Sequence, residues 1–100
     1  MVRFQVALHE TADYERIFAS DFLPLIREHG FDLVGAFRTL VGDAGEYHEL
    51  WRFSSVSEFE TRWTALLADP RVSAVLAKTG PLVTGEISRL LTPAPFSPEP

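Results

Sequence analysis

The order in which hydrophobic periods change along the chain constrains its fold more than any other feature. Val2, Phe4, Val6 and Leu8 alternate with Arg3, Gln5, Ala7 and His9, and period two predicts a half-buried strand. The period then lengthens. Tyr14, Ile17, Phe18, Phe22, Leu25 and Ile26 share one helical face. Thr11 is the expected N-cap, Asp13 and Glu15 suit the positive first turn, and Gly30 suits the helix end. Pro24 should kink this helix near residues 20–21, because it lacks the N–H that a helix interior needs.

Residues 31–41 and 46–53 read as strands, and the Gly-Asp-Ala-Gly turn at 42–45 makes them a hairpin. Ser57 with Glu60 forms a capping box, with Ser55 and Glu58 as the alternative register. Val56, Phe59, Trp63, Leu66 and Leu67 share a face of the helix that follows. Asp69-Pro70 ends it and opens a short further helix, with Gly80 after its end. Residues 82–91 read as the last strand. Residues 92–100 hold four prolines and should run extended along a surface.

The resulting order, β-α-β-β-α-β, is the ferredoxin-like arrangement of the α+β class. Right-handed crossovers put both helices on one face of a four-stranded antiparallel sheet with order 4-1-3-2. The whole chain, residues 1–100, reads as one domain with a proline-rich tail at 92–100. Strict alternation puts Phe31, Leu33 and Phe37 on one side of the second strand and Val34, Ala36 and Leu40 on the other. In the fourth strand it puts Val83, Ile87 and Leu91 opposite Leu82 and Leu90. Apolar residues on both faces imply a cover for the helix-free face, and a second copy is the economical one, so a homodimer is expected.

Composition narrows the function. Apolar residues make up 46% and charged residues 23% of the chain, which excludes a disordered or collagen-like polymer. A formal net charge of −5 without a basic run argues against nucleic-acid and anionic-membrane partners. The absence of cysteine removes disulfide, thiolate and iron–sulfur chemistry and suits a cytoplasmic location. No signal-peptide core and no membrane-spanning run is present.

The residues resemble the NIPSNAP family, a branch of the dimeric α/β-barrel group. The likeness runs from the strand at residues 2–8 through Pro24-Leu25 and His29-Gly30-Phe31 into Leu33-Val34-Gly35-Ala36-Phe37. It continues in Glu49-Leu50-Trp51-Arg52-Phe53, similar to that family's His-Leu-Trp-Arg-Tyr segment, and ends in a Leu-x-Pro-x-Pro-Phe-Ser-Pro pattern at residues 91–98. This chain departs at Glu49, where the family commonly has His, and Arg62 matches the Arg of the second helix only loosely. The resemblance implies the fold and the dimer and carries no settled chemistry. A sister branch, the antibiotic-biosynthesis monooxygenases, often has Glu-x-Trp in this strand, and Glu49 with Trp51 reproduces the spacing.

Glu49 is therefore the candidate catalytic residue. It shares a strand face with Tyr47, Trp51 and Phe53. A carboxyl among aromatics is either desolvated, with a raised pKa suited to a general base, or paired with a cation. The weight falls on a structural pair with Arg3 or Arg38. Tyr47, Trp51 and Trp63 are candidate walls of a sheet–helix pocket for a small aromatic ligand, against ordinary core packing as the plainer reading. His9, His29 and His48 have no metal-ligand spacing, the serines lack a nucleophile elbow, and neither a metal nor another cofactor is expected. Three functions follow. The first is a small-molecule-binding homodimer. The second is a cofactor-independent monooxygenase acting on an electron-rich aromatic. The third is a structural interaction module.

Overall fold

β1 (Val2–Val6) is one of the two inner strands of the sheet. In the computed structural model, which describes residues 1–98, it pairs antiparallel with β3 (Glu46–Arg52) on one side and β4 (Val83–Ser88) on the other. β2 (Asp32–Arg38) pairs with β3 at the edge, giving the order β2-β3-β1-β4. This is the expected four-stranded antiparallel sheet. Period two ends at Val6 rather than Leu8: residues Leu8–Glu10 form a 3₁₀ turn.

The first helix is continuous but not uniform. α1 (Thr11–Ile17) passes through a π-helical turn at Phe18–Phe22 into α2 (Leu23–Glu28). The expected disturbance ahead of Pro24 is thus a widened turn, in which the Leu23 N–H reaches the Phe18 carbonyl. The wider turn takes up the proline without a break in the helix. Thr11 is not the N-cap; Glu10 holds that position, and the Thr11 hydroxyl donates back to the Leu8 carbonyl.

α3 (Val56–Ala68) is capped by Ser55, whose hydroxyl accepts the Glu58 N–H, while the Glu58 carboxylate reaches back to Ser54. The alternative capping register is the one formed. α4 (Pro70–Thr79) starts with Asp69 as N-cap and Pro70 at the first position. Asp69 also accepts from His29 at 2.9 Å and from Arg71, so one carboxylate ties the end of α2 to the start of α4. Only part of the expected α3 face is buried: Leu66 is, but Val56 and Leu67 are exposed. The helix meets the sheet along a narrow stripe.

Two bulges overturn the expected side assignments. In β2 the register shifts between Leu33 and Gly35, so Leu33 and Ala36 share the helix-side face while Phe37, opposite His48, lies on the open face. In β1–β4 the register shifts between Arg3 and Gln5, near Gly85 at φ 62°. Val83 therefore faces the helices and Ile87, opposite Arg3, faces away. One extra residue reverses alternation for everything beyond it.

The helix-side core has two parts. Phe4, Val6, Tyr14 and Tyr47 form one; Ile26, Phe31, Leu66 and Val72 form the other; Phe18 packs against both. Among the described residues no helix or strand covers the open face. Phe37 is 57% exposed there, with Leu50 and Ile87 also exposed. Beyond β4, Arg89 and Met1 exchange two backbone hydrogen bonds, and residues 92–98 form no strand. Phe96 is 90% exposed. The last two residues of the expected tail, 99–100, lie outside the described residues.

Gly45 closes the β2–β3 hairpin at φ 79°, and its carbonyl accepts the Val6 N–H at 2.9 Å. A Cβ there would stand 2.1 Å from the Val6 carbonyl oxygen. Gly45→Ala should cost at least about 2 kcal/mol, from left-handed backbone strain plus this backbone collision. Urea denaturation checks it, and an unchanged midpoint would contradict the hairpin geometry.

Candidate functional site

Glu49 sits in the middle of β3, at the seam between the two core clusters. Tyr47 belongs to the first cluster and Trp51 packs against the second. Strand alternation puts all three on the helix side, with Glu49 between Val2 of β1 and Ala36 of β2. Glu49 is only 8% exposed.

The expected ion pair does not form. Arg3 lies on the opposite face, where it donates to Glu46 at 2.6 Å. Arg38 shares Glu49's face but sits opposite Tyr47 and reaches Glu15 at 3.2 Å. Among the described residues no Lys, Arg or His makes a salt bridge with Glu49. Its hydrogen bond is a long one: the Trp51 indole N–H donates to Oε1 at 3.3 Å. The other oxygen makes none and is not sealed from solvent, since no fully buried side-chain oxygen among the described residues lacks a partner.

These surroundings fix the titration. Burial pushes the Glu49 carboxyl up to about 7; the Trp51 N–H opposes this, Glu86 on β4 adds repulsion, and the amino group of Met1 offsets a little. Burial also raises the Tyr14 phenol, helped by Glu49, Tyr47 and Glu86. Tyr47 rises to about 12 through burial and through donating to Glu15 at 2.6 Å. Both phenols stay neutral at physiological pH.

The aromatic candidates part company. Tyr47 stacks on Phe4 at 5.4 Å and tilts against Tyr14. Trp51 meets Phe31 edge-on at 5.9 Å. Trp63 stacks on Phe59, which leads through Phe53 to Phe31. Trp63 is 42% exposed and stands at the far end of that aromatic chain from Glu49. Tyr47, Glu49 and Trp51 therefore form one group, with Tyr14 as the member that sequence reasoning had placed only in the core. Its signal was its position on the apolar face of the first helix, which must cross the centre of the sheet.

The two best-formed clefts lie elsewhere. One, of about 280 Å³, is bounded by Gln5, Leu8, Ala44 and Leu82 at the sheet end; the other, of about 450 Å³, by Ser55, Glu58 and Arg62 on α3. Both are open and shallow. The open face carries a separate polar network: Glu46 accepts from Arg3 and Thr39 and meets His48 at 3.0 Å, and its carboxyl is held near 2, chiefly by His48 and then by Thr39 and Arg3. Among the described residues no group of three His, Asp or Glu side chains is placed to hold a metal ion.

An antiparallel sheet of order β2-β3-β1-β4 with its helices on one face defines a ferredoxin-like α+β domain. This chain belongs to the NIPSNAP family, whose profile matches residues 1–98. It is similar in structure to a NIPSNAP family protein of unknown function from Agrobacterium tumefaciens, with 27% identity, a TM-score of 0.89, and coverage of 97% of this chain and 87% of that one. A second A. tumefaciens NIPSNAP protein shares 21% identity at a TM-score of 0.90, covering 99% and 94%. A NIPSNAP domain protein from Burkholderia xenovorans shares 20% at 0.89, covering 98% and 95%. These last two show the fold alone. No curated protein matches the chain. No helix among the described residues is long and apolar enough to cross a membrane.

Proposed function

We propose that this NIPSNAP protein is a cytoplasmic homodimer that binds a small molecule in the seam between sheet and helices, against Glu49, Tyr47 and Trp51. One observation carries the reading: a nine-tenths buried carboxyl with no cation and one unbonded oxygen. Burying such a group costs stability unless it is paired or neutral, and a stretch of core serving packing alone has no use for it. Phe18, in the π-helical turn, bridges the two core clusters above the seam. Native mass spectrometry of protein purified from its own host tests the reading. A retained ligand, lost in Glu49→Gln, supports it. An empty protein whose Glu49 and Trp51 resonances no small molecule perturbs contradicts it.

The dimer rests on the open face, where Phe37, Leu50 and Ile87 are exposed beside the Glu46 network. Soluble monomers rarely leave an apolar patch beyond a few hundred Å² uncovered. Phe37→Glu should convert the dimer to monomer at micromolar concentration in sedimentation, while circular dichroism stays unchanged. A wild-type monomer of 11.2 kDa under those conditions would remove the dimer.

The absence of an arginine partner for Glu49 also favours a second reading, a cofactor-independent monooxygenase in which Glu49 takes a proton from an acidic phenol that then reduces dioxygen. There Glu49→Gln abolishes turnover, and retained turnover excludes Glu49 as the base.

A further inference from the structure

The seam is rich in negative charge and poor in its complement. Glu49 and Glu86 act on the same region, and both raise the Tyr14 phenol. Among the described residues neither carboxyl makes a salt bridge. The arginines on the neighbouring strands are already committed, Arg3 to Glu46 on the far face and Arg38 to Glu15. Tyr47 and Trp51 flank Glu49 on its strand face, the Trp51 N–H donates to it, and Tyr14 stands close enough for Glu49 to raise its phenol. Among the described residues the Trp51 N–H is the one side-chain donor that Glu49 has. An anion would be repelled by Glu86 and by Glu49 once it is ionised. A cation would meet a carboxylate oxygen without a partner, on a strand face that also carries Tyr47 and Trp51, and a charge-assisted hydrogen bond to such an oxygen is among the stronger contacts a desolvated place offers. The whole chain carries a formal charge of −5, which draws cations toward it.

We infer that the ligand of this seam is a small organic ammonium with a flat apolar body, its N–H groups donated to the free oxygen of Glu49 and its charge resting against Tyr47, Tyr14 and Trp51. The inference rests on the binding function proposed above and names its ligand class. Its chemistry needs Glu49 ionised. The groups that face Glu49 and set this are Glu86 on β4, Tyr14 on α1, Tyr47 and Trp51 on β3, and the amino group of Met1 beside β1. With a carboxyl that titrates at about 7, an alkylammonium, charged throughout, should bind about tenfold more tightly at pH 8 than at pH 6. At pH 6 it should displace close to one proton as it binds.

The test uses the full chain and three phenylethyl probes that differ in the end group: phenethylamine, 2-phenylethanol and 3-phenylpropionate. Calorimetry at pH 6 and pH 8, in buffers of different ionisation enthalpy, reads affinity and proton release; NMR reads the Glu49 carboxyl and the Trp51 indole. The expected result is binding of the amine alone, about tenfold tighter at pH 8, and weakened about 10- to 100-fold in Glu49→Gln, the loss of one charge-assisted hydrogen bond. If the neutral alcohol binds as well as the amine and shifts the same resonances, the seam is a pocket but the ammonium assignment is overturned. If the amine binds Glu49→Gln as tightly as wild type, its site is elsewhere and the assignment is overturned. If none of the probes at millimolar concentration moves the Glu49 or Trp51 signals, the assignment and the binding reading fall together.

Discussion

Glu49→Gln stabilises the protein at pH 8 by about 3 kcal/mol and leaves it unchanged near pH 4. The folded carboxyl titrates at about 7 and the unfolded one at its ordinary 4.5, so between these values the folded chain keeps a proton that the unfolded chain has lost. The stability held by this group is complete below pH 4.5, falls as pH rises through about 7, and is gone above it. The gap between the two values corresponds to about 3 kcal/mol, at 1.36 kcal/mol per pH unit; with Glu49 only 8% exposed, solvent screening reduces this little. Glutamine has no proton to lose, so the variant removes that slope. Carboxyls held low, such as Asp69, act in the opposite sense and lose their contribution as pH falls, but they are common to both proteins and cancel in the difference. Urea titrations at pH 4, 6 and 8 check the result. A variant less stable than wild type at pH 8 would mean that Glu49 has a cation partner after all, since breaking a buried pair costs about 3–5 kcal/mol.

Phe31→Ala should cost about 3–5 kcal/mol, the range for emptying a buried aromatic site. Phe31 closes the cluster with Ile26, Leu66 and Val72 and meets Trp51 and Phe53 edge-on at 5.9 and 5.2 Å. Its loss should also free the Trp51 indole, whose emission should move to longer wavelength before global unfolding. Trp63→Ala, at a position 42% exposed and stacked only on Phe59, should cost clearly less despite removing the larger ring. Equal costs for the two would contradict the placing of Phe31 under the seam.

Much of this was legible in the residues. The changes of period at residues 2–8, 11–29, 46–53 and 56–68 fixed element order, and order with crossover handedness fixed the sheet. The bulges were not legible. An extra residue at Val34 or near Gly85 leaves no mark in composition, yet it moved Phe37 to the open face and Val83 to the helix side. Choosing between Ser55 and Ser57 as cap likewise needed the backbone, since both precede a glutamate by three residues.

The error over Glu49 is more instructive. Val2, Phe4 and Val6 mark the helix-side face of β1, so parity alone sends Arg3 to the other face. Tyr47 and Trp51 mark the same helix-side face of β3 and carry Glu49 with them. The arginine was excluded by an argument the sequence already contained. Arg38 needed the structure, because only the packed helix brings Glu15 to it at 3.2 Å.

Glu49, buried without a cation, should titrate near neutrality rather than in the usual carboxylate range. Following the side-chain carboxyl ¹³C signal of Glu49 in the wild-type protein from pH 3 to 9 measures this directly. A midpoint near 7 is expected, with the Trp51 indole N–H shifting in the same step; a midpoint at or below 4.5 would contradict a buried carboxyl without a cation.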